Sequence, residues 1–339
     1  ATPPSAAHFP IREYTLTMDM DLLTSLERRL GSVHTRLRVG IEEESLPSVF
    51  GKGINFFHPE NWYSSHGLLR SLLKVSGFYW RGRKNTLNFR TTHNRFMLPQ
   101  LPPGFDGFTL LHLSDLHTDM HPPAIEALIK QVSEMSYDAV ILTGDYRAWT
   151  FGDIDASMAG MRSLCSALKK PVYAVLGNHD TIRMVPELEA MDIQVLLNES
   201  LTLSRGDDVV HLAGVDDAHY YKVDNIEKAA EGIPLDEVSI LLSHTPEIYR
   251  QAAHSGFDLF FCGHTHGGQI CLPGGYPITL DARCPRRLGF GYWQHGEMQG
   301  YTTAGAGTSI VEVRINCPPE IALHTLVRSS ADAQQVEQA

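Results

Sequence analysis

Several features that mark special classes of protein are absent from this 339-residue sequence. Its five cysteines are an odd number at scattered spacings with no CxxC pair, so neither a disulfide framework nor a structural zinc knuckle is expected, and a reducing compartment is favoured. No apolar run approaches the ~18–20 residues that span a bilayer. Basic residues are outnumbered, 28 against 39 acidic, and the net charge of −11 disfavours a general nucleic-acid binder.

The residues that are present describe an ordinary globular chain with a repeated pattern. Hydrophobic residues make up 43% of it and charged residues 20%. Between Phe108 and about Leu326, five short apolar runs alternate with helical patterns: FTLLHL, DAVILT, PVYAVL, VSILLS and DLFFC. Uninterrupted apolar strands spaced by helices indicate an α/β fold with largely parallel sheets covered on both faces. QICLP, GYTTAG and EIALHTL predict later strands, which suggest a second sheet packed on the first.

Each of the five apolar runs is followed by residues whose side chains bind metals. In parallel sheets such groups gather beyond the carboxyl ends of the strands, so we expect them in one site. The seven candidates are Asp115, His117, Asp145, Asn178, His244, His264 and His266. Seven ligands suffice for two cations, which points to hydrolysis of a phosphate ester, and Asp145 is the natural carboxylate to bridge the pair. The mixed imidazole and carboxylate set suits Zn, Mn or Fe(II) better than Ca or Mg.

Each of these motifs has an ordinary explanation when it is taken alone. A D-x-H pair is commonly a surface turn, GD after a strand is commonly a turn, and GNHD can cap a helix. GHTHGG alone would fit a single mononuclear site. Five such groups in this order, each after a predicted strand, make coincidence an inadequate explanation.

The series D-x-H, GD, GNHD, H and GHTH resembles the calcineurin-like metallophosphoesterase superfamily. GHTHGGQI and the later GAGTSIVEVRINCPPEIALHTL are similar to its single-domain bacterial branch, and the likeness covers about residues 106–327. It implies a four-layer αββα sandwich of two mixed sheets, with two divalent metal ions bound between the sheets. It further implies two ligand sets, one of Asp115, His117, Asp145 and His266, and the other of Asp145, Asn178, His244 and His264.

The resemblance also implies a reaction. A hydroxide that bridges the two ions would attack phosphorus in line, while His179 meets the phosphate and helps the leaving oxygen acquire its proton. Asp180 would either orient the His179 imidazole or cap a helix that begins at Thr181. Arg147 stands where the family often has a small or acidic residue; it is either a clamp for a phosphate oxygen or a surface arginine that pairs elsewhere. His219, in a later loop, would either line the pocket or play no part.

The first 105 residues differ from the rest of the chain. We predict a mainly helical N-terminal appendage at 1–105, a catalytic domain at 106–327 and a flexible tail at 328–339. Residues 17–38 carry an amphipathic helical pattern that is broken at Gly31. Residues 61–105, the basic segment, contain no Asp or Glu but seven cations, interleaved with Trp, Tyr, Phe and Leu.

Three explanations compete for the basic segment. Aromatic and leucine side chains beside cations suit the surface of an anionic membrane. The second explanation is a solvated basic surface neutralised by the acidic catalytic domain, and the third is a nucleic-acid patch with stacked aromatic rings. We favour the membrane, because the stretch LLRSLLKVSGFYW has contiguous apolar residues that base stacking does not require, and no nucleic-acid partner is expected.

The expected function is metal-dependent hydrolysis of a phosphate ester or pyrophosphate, with a membrane lipid or nucleotide-linked lipid as substrate. The alternative is a soluble, broad-specificity phosphodiesterase that acts on small nucleotides or aryl esters. A metal-free protein-binding scaffold is disfavoured by the complete ligand set. We expect the protein in the cytoplasm, peripheral on the inner membrane face. The chain begins at Ala1, and both a removed leader and simple loss of Met fit that start.

Overall fold

The computed structural model describes residues 20–44 and 63–329, which form two six-stranded mixed sheets and a short ribbon. The spatial order of the first sheet is β1 (Arg90–Leu98), β14 (Glu320–Arg328), β2 (Thr109–Leu113), β3 (Ala139–Leu142), β4 (Val172–Ala174) and β5 (Ile193–Val195). The order of the second is β12 (Gly291–His295), β13 (Met298–Thr302), β9 (Leu259–Cys262), β8 (Ser239–Leu242), β7 (Asp208–Gly214) and β6 (Glu199–Arg205). The ribbon pairs β10 (Cys271–Leu272) with β11 (Tyr276–Pro277). Residues 330–339 of the predicted tail lie outside the described residues.

The described residues form nine α-helices, several of which cover the outer faces of the two sheets. They are α1 (Met20–Leu30), α2 (Ser32–Glu44), α3 (Tyr63–Val75), α4 (Phe78–Asn85), α5 (Pro122–Ser133), α6 (Asp155–Cys165), α7 (Val185–Ala190), α8 (Ile226–Ala229) and α9 (Tyr249–His254). Side chains of α5, α6 and α7 share a core with the first sheet, and those of α8 and α9 share one with the second. Since a further core joins the two sheets, the layers run α, β, β, α, and the predicted fold class is confirmed.

The central strands are apolar on both faces. In β2, Leu111 and Leu113 pack beneath the helices, whereas Leu110 points between the sheets. In β9, Phe261 lies between the sheets and Phe260 lies beneath the helices of the second sheet. This double burial is the reason that these strands are almost entirely hydrophobic in the sequence.

Parallel pairing places the ends of the central strands side by side. β2, β3 and β4 are parallel neighbours in the first sheet, as are β7, β8 and β9 in the second. Neighbouring strands end at nearly the same level, with Leu113 opposite Leu142 and Leu242 opposite Phe261, the penultimate residue of β9. The loops that follow therefore leave the two sheets next to one another, and these loops carry the candidate ligands.

The N-terminal region contributes to a helical layer and to a sheet. α1 ends at Leu30 and α2 begins at Ser32, so the predicted break at Gly31 is present. Leu26 and Leu30 are buried in the core that α5, α6 and α7 form with the first sheet. β1 pairs with β14 over nine residues, which means that the first sheet begins before the boundary predicted at residue 105.

The basic segment divides into parts with different surroundings. Its last two cations lie on β1. α3 and α4 bury Leu73 and Tyr79 against Val313, and Arg70 lies 3.0 Å from the carboxylate of Glu312, which neutralises one cation. Residues 61 and 62 lie outside the described residues. No helix in the described ranges has the length and apolar character needed to cross a bilayer.

Candidate metal centre

The seven candidate ligands follow five different strands and meet in one place. Two groups of three have donor atoms within 4.8 Å of one another: Asp115 with His117 and His266, and Asp145 with His244 and His264. All of these side chains are buried. The arrangement can hold two ions side by side, because each group combines imidazole and carboxylate donors.

Asp145 connects the two groups, and Asn178 lies beside one of them. The Asp145 Oδ2 atom is 3.3 Å from Nε2 of His244 in one group and 3.8 Å from Nε2 of His117 in the other. The Asn178 Oδ1 atom is 3.0 Å from Nε2 of His244. The structure therefore brings all seven predicted residues together, with the Asp145 carboxylate between the groups.

The loops hold the ligands in an uncommon backbone conformation. Five of the seven have positive φ angles: Asp115 (52°), His117 (40°), Asp145 (58°), His264 (71°) and His266 (51°). A non-glycine residue in this region costs about 1–3 kcal/mol and persists only where the surrounding structure imposes it. Strain of this kind is concentrated at functional sites, and here it falls on the predicted ligands.

Two motif glycines allow the ligand loops to touch. A Cβ atom at Gly177 would overlap the carboxylate of Asp145, and a Cβ at Gly263 would overlap the side chains of Ser114 and Asp115. The glycines of GNHD and GHTH are therefore required by the close approach of neighbouring loops. Any larger residue at either position would push a ligand out of place.

Main-chain carbonyl groups orient two of the imidazoles. His117 and His244 each donate their Nδ1–H to a carbonyl oxygen 2.7 Å away. The Nε2 atom of each ring then points into the centre, where it lies 3.2 Å from a nitrogen of His266 or His264, respectively. Histidines anchored in this way, with Nε2 atoms that converge, are typical of metal sites. The donor set therefore fits divalent metal ions.

Burial and the nearby carboxylates act in opposite directions on the histidines of the centre. Burial lowers the pKa of His264 and of His266 well below the usual range, so both rings are neutral at pH 7. Burial also disfavours the charged form of His244, but the carboxylates of Asp145 and Asp115 outweigh it and raise the His244 pKa to about 10. Burial alone would raise the pKa of Asp145, yet the His244 charge holds it well below its ordinary value.

His179 stands beside the centre with an anchored ring. Its Nδ1 atom lies 2.9 Å from the Thr150 hydroxyl, and its Nε2 atom lies 4.0 Å from Oδ2 of Asp145. Burial lowers the pKa of this imidazole to about 4. His179 also lines the cavity next to the ligands, which is where the expected contact with a phosphate would require it. The contact between Thr150 and His179 could not be predicted from the sequence, because it depends on the conformation of the loop that carries Thr150.

Arg147 is buried and braces the loop that holds His179. Its Nε donates to the carbonyl of His179, Nη2 donates to that of Thr150 at 2.5 Å, and Nη1 donates to that of Gly152 at 3.2 Å. Arg147 is not one of the described residues that line the cavity. The expected clamp on a phosphate oxygen would require the guanidinium to leave these carbonyls, so the geometry favours a positioning role.

Asp180 fastens two ligand loops together. Its carboxylate accepts hydrogen bonds from the backbone N–H groups of Asp145 (2.7 Å), Tyr146 (2.8 Å) and Gly177 (2.8 Å). Neither sequence-based interpretation of Asp180 was right: it does not contact the His179 ring, and Thr181 itself caps the short helical turn that follows. A carboxylate is suited to this position because it accepts several N–H groups at once.

Replacing Asp180 with asparagine is expected to lower metal affinity by about 10- to 100-fold, as the loss of an outer-shell carboxylate commonly does. The asparagine NH2 group would face backbone N–H groups that need an acceptor. Metal affinity would be measured by competition with a chromophoric chelator. The control is Asp192→Asn, since the Asp192 side chain is 85% exposed. Equal affinities for both variants and the wild type would contradict the assigned role.

Helix α2 supports the loop around Asp180 from behind. The guanidinium of Arg38 is fully buried and donates to the Asp180 carbonyl at 2.7 Å. It lies 3.0 Å from Glu42 and 3.7 Å from Asp216. Glu42 in turn accepts the N–H of Ile182 at 2.8 Å. The sequence offered little sign of this contact, because Arg38 looks like one more polar residue of an amphipathic helix.

The cavity above the ligands has a volume of about 310 Å³. Its floor includes Asp145, Asn178, His179, His264 and His266. Part of its wall is apolar and is formed by Leu69, Ile270, Ile278, Ile310 and Val311. A molecule with a phosphate group and an adjoining apolar part would fit both surfaces.

One family model and several curated proteins resemble this chain. The model of the calcineurin-like phosphoesterase family matches residues 108–268. The uncharacterized metallophosphoesterase YkoQ of Bacillus subtilis (strain 168) is 26% identical over 271 residues, which cover 76% of this chain and 97% of that protein. The phosphodiesterase YaeI of Escherichia coli (strain K12) is 29% identical over 234 residues, which cover 65% of this chain and 82% of that protein.

A third relative has a more specific description. The UDP-2,3-diacylglucosamine pyrophosphatase LpxG of Chlamydia muridarum (strain MoPn / Nigg) is 25% identical over 268 residues, which cover 62% of this chain and 74% of that protein. The three relatives share phosphoester or pyrophosphate chemistry in their descriptions. The family match spans all five groups of candidate ligands, from the strand before Asp115 to the loop that contains His266.

Proposed function

Because the chain belongs to the calcineurin-like phosphoesterases and is a hydrolase of phosphoester bonds, we propose that it uses two divalent cations to cleave an amphiphilic phosphate ester or pyrophosphate. The observation that carries this proposal is the meeting of two buried ligand groups beneath a cavity with an apolar wall. The proposed ligands are Asp115, His117, Asp145 and His266 for one ion, and Asp145, Asn178, His244 and His264 for the other.

Bound cations would neutralise phosphoryl oxygens and lower the pKa of a coordinated water toward neutral. The residues of the chain supply orientation and a proton. If the Thr150 hydroxyl donates to Nδ1 of His179, the neutral ring carries its proton on Nε2. That Nε2–H would donate a hydrogen bond to a phosphoryl oxygen. When the ring takes up the proton that the attacking water loses, the resulting imidazolium would pass its Nε2 proton to the leaving oxygen and return to the neutral form. Arg147 would keep this ring in place through the loop carbonyls.

The apolar wall favours a substrate with a hydrocarbon part. Leu69, Ile278 and Ile310 face the same cavity as the catalytic histidine and the proposed ligands. One relative is described as a pyrophosphatase of UDP-2,3-diacylglucosamine, a substrate that carries acyl groups. A membrane lipid phosphate or a nucleotide-linked lipid would present the same combination of groups here. A small nucleotide or aryl ester would use the polar floor and leave part of the wall uncovered.

The substrate class can be tested directly with Mn²⁺-loaded protein. We expect turnover of an acylated nucleotide pyrophosphate to exceed that of its deacylated counterpart, because burial of each CH₂ group contributes about 0.8 kcal/mol. Bis-p-nitrophenyl phosphate and p-nitrophenyl phosphate would report the preference between diester and monoester. Equal turnover of the acylated and deacylated compounds would support the alternative, a broad-specificity phosphodiesterase, which agrees with the description of YaeI.

The surface of α3 and α4 supports contact with an anionic membrane. It exposes five large apolar side chains, namely Leu68, Leu72, Val75, Phe78 and Trp80. Exposed cations accompany them at Lys74, Arg81, Arg83 and Lys84. Apolar groups that enter the interface beside cations that meet lipid headgroups are typical of peripheral membrane proteins. Leu69 of α3 lines the cavity, so the same helix would connect the membrane with the site.

Leu72→Asp is expected to weaken binding to anionic vesicles by at least about tenfold, since removing a leucine from the interface loses about 1.5–3 kcal/mol. The wild-type protein should sediment with phosphatidylglycerol vesicles at low salt and less so at high salt. Leu235→Asp is the matched control, because Leu235 is 83% exposed and lies outside α3 and α4. Vesicle binding that survives Leu72→Asp, or that is absent from the wild type, would refute this contact.

A further inference from the structure

A second cluster of donor groups lies beside the two-cation centre. One ring nitrogen of His219, one of His264 and a carboxylate oxygen of Asp281 all lie within 4.8 Å of one another. The ring centroids of the two histidines are 4.2 Å apart. His264 and Asp281 both line the cavity, so the cluster opens toward the space that a substrate would occupy.

His264 presents a nitrogen to this cluster that the two-cation centre does not use. Its Nδ1 atom lies 3.2 Å from Nε2 of His244, inside the centre, so its Nε2 atom points the other way. That Nε2 atom is buried and has no hydrogen-bond partner within the part of the chain that the structure describes. A buried polar atom without a partner costs roughly 1–3 kcal/mol, so a ligand at this position would be stabilising.

Glu247 holds the other two members of the cluster. Its Oε1 atom is 2.9 Å from Nδ1 of His219 and also accepts the backbone N–H of Arg283 at 2.7 Å, two residues beyond Asp281. The bond to Nδ1 leaves Nε2 of His219 for the cluster. A histidine that binds a metal through one ring nitrogen usually donates the N–H of the other nitrogen to a carboxylate or a carbonyl group.

We propose that His219, His264 and Asp281 form a third divalent-cation site, of the class that Zn²⁺ occupies. Two imidazoles and a carboxylate, with one position open toward the cavity, match a three-ligand zinc site. Asp281 and Glu247 supply two negative charges to balance the ion. Ligation through both nitrogens leaves His264 without a ring proton, as metal ligands generally give up their protons. The open position could receive an anionic oxygen of the substrate. This site goes beyond the proposed function, since the two-cation centre is complete without it.

The number of bound ions tests this proposal without measuring activity. The full chain would be dialysed to equilibrium against a fixed concentration of free Zn²⁺, and bound zinc would be counted by mass spectrometry. We expect three ions for the wild type and two for Asp281→Asn and for His219→Gln. Asp236→Asn, which changes an exposed carboxylate elsewhere, should retain three and so controls for zinc bound at the surface.

Glu247→Gln provides a second test that leaves all three ligands in place. Loss of the carboxylate that is bonded to His219 should lower the affinity for the third ion by about 10- to 100-fold. The affinities for the other two ions should not change. The affinities would be separated by titration with zinc under chelator competition. Unchanged affinity of the third ion in this variant would contradict the arrangement that we propose.

The possible ion counts separate this inference from the proposed function. Two ions in the wild type and two in Asp281→Asn would overturn the third site and leave the two-cation centre intact. One ion in the wild type and none in Asp281→Asn would support the third site and overturn the two-cation centre. No zinc in either protein would overturn both.

Discussion

Asp145→Asn is expected to reduce Mn²⁺-dependent turnover of bis-p-nitrophenyl phosphate by at least about 100-fold. A metal ion contributes several kcal/mol to transition-state stabilisation, and each 1.4 kcal/mol is about tenfold in rate. The Asp145 carboxylate lies within 4.0 Å of His117, His179 and His244, so one substitution would disturb both groups of candidate ligands and the proposed catalytic histidine. No other candidate ligand has this central position.

The measurement should combine turnover with metal content. The substitution would keep the size of the side chain but remove its negative charge, and a neutral amide cannot offset two adjacent divalent ions. We therefore expect fewer bound ions as well as slower turnover. Asp236→Asn is the control, since Asp236 is exposed. If Asp145→Asn retained both its metal and its turnover, the proposed two-cation mechanism would be wrong.

Arg38→Met is expected to lower the free energy of unfolding by about 3–5 kcal/mol, because it removes one partner from a group of buried charges. Asp216 is fully buried, and its pKa, which burial alone would raise, is held below the usual value by Arg38 and His34. Without the guanidinium, the carboxylates of Asp216 and Glu42 would lose a buried cation that lies 3.7 Å and 3.0 Å away, respectively. The Asp180 carbonyl would also lose its hydrogen bond.

Chemical denaturation at a fixed metal concentration would measure this effect. Arg36→Met is a matched control on the same helix, because the Arg36 side chain is 72% exposed and pairs with Glu27 at the surface. An exposed ion pair contributes only about 0–1 kcal/mol. Equal free energies of unfolding for the two variants would show that Arg38 does not hold α2 against the loops of the site.

The five strands that precede the candidate ligands were predicted correctly, and they are buried on both faces. β2, β3, β4, β8 and β9 are continuous apolar runs, because helices cover one side and the other sheet covers the second. β6 and β1 were not predicted. β6 has the sequence ESLTLSR and only Leu203 is buried, while β1 is polar over most of its length. An edge strand with one face exposed to solvent lacks the continuous hydrophobic pattern that identifies a strand in the sequence.

The outer parts of the site lay beyond prediction for a different reason. The candidate ligands could be identified from the sequence, because each belongs to a short motif that directly follows a predicted strand. The bond from Arg38 to the Asp180 carbonyl joins residues that are 142 positions apart. Likewise, the hydrogen bond that His219 donates to Glu247 joins residues that are 28 positions apart. Polar residues in loops and on helices have many possible partners, and only the packing of the layers selects one.

By itself the sequence determined the class of fold and the set of seven candidate ligands, and it predicted a catalytic role for His179. Apolar strands and the residues that follow them are local features, so they can be recognised in a single sequence. The tertiary structure alone decided that Asp145 lies between both ligand groups, that Arg147 faces carbonyls, and that α2 supports the site from behind. These properties arise where separate loops meet, and their geometry depends on contacts between distant parts of the chain.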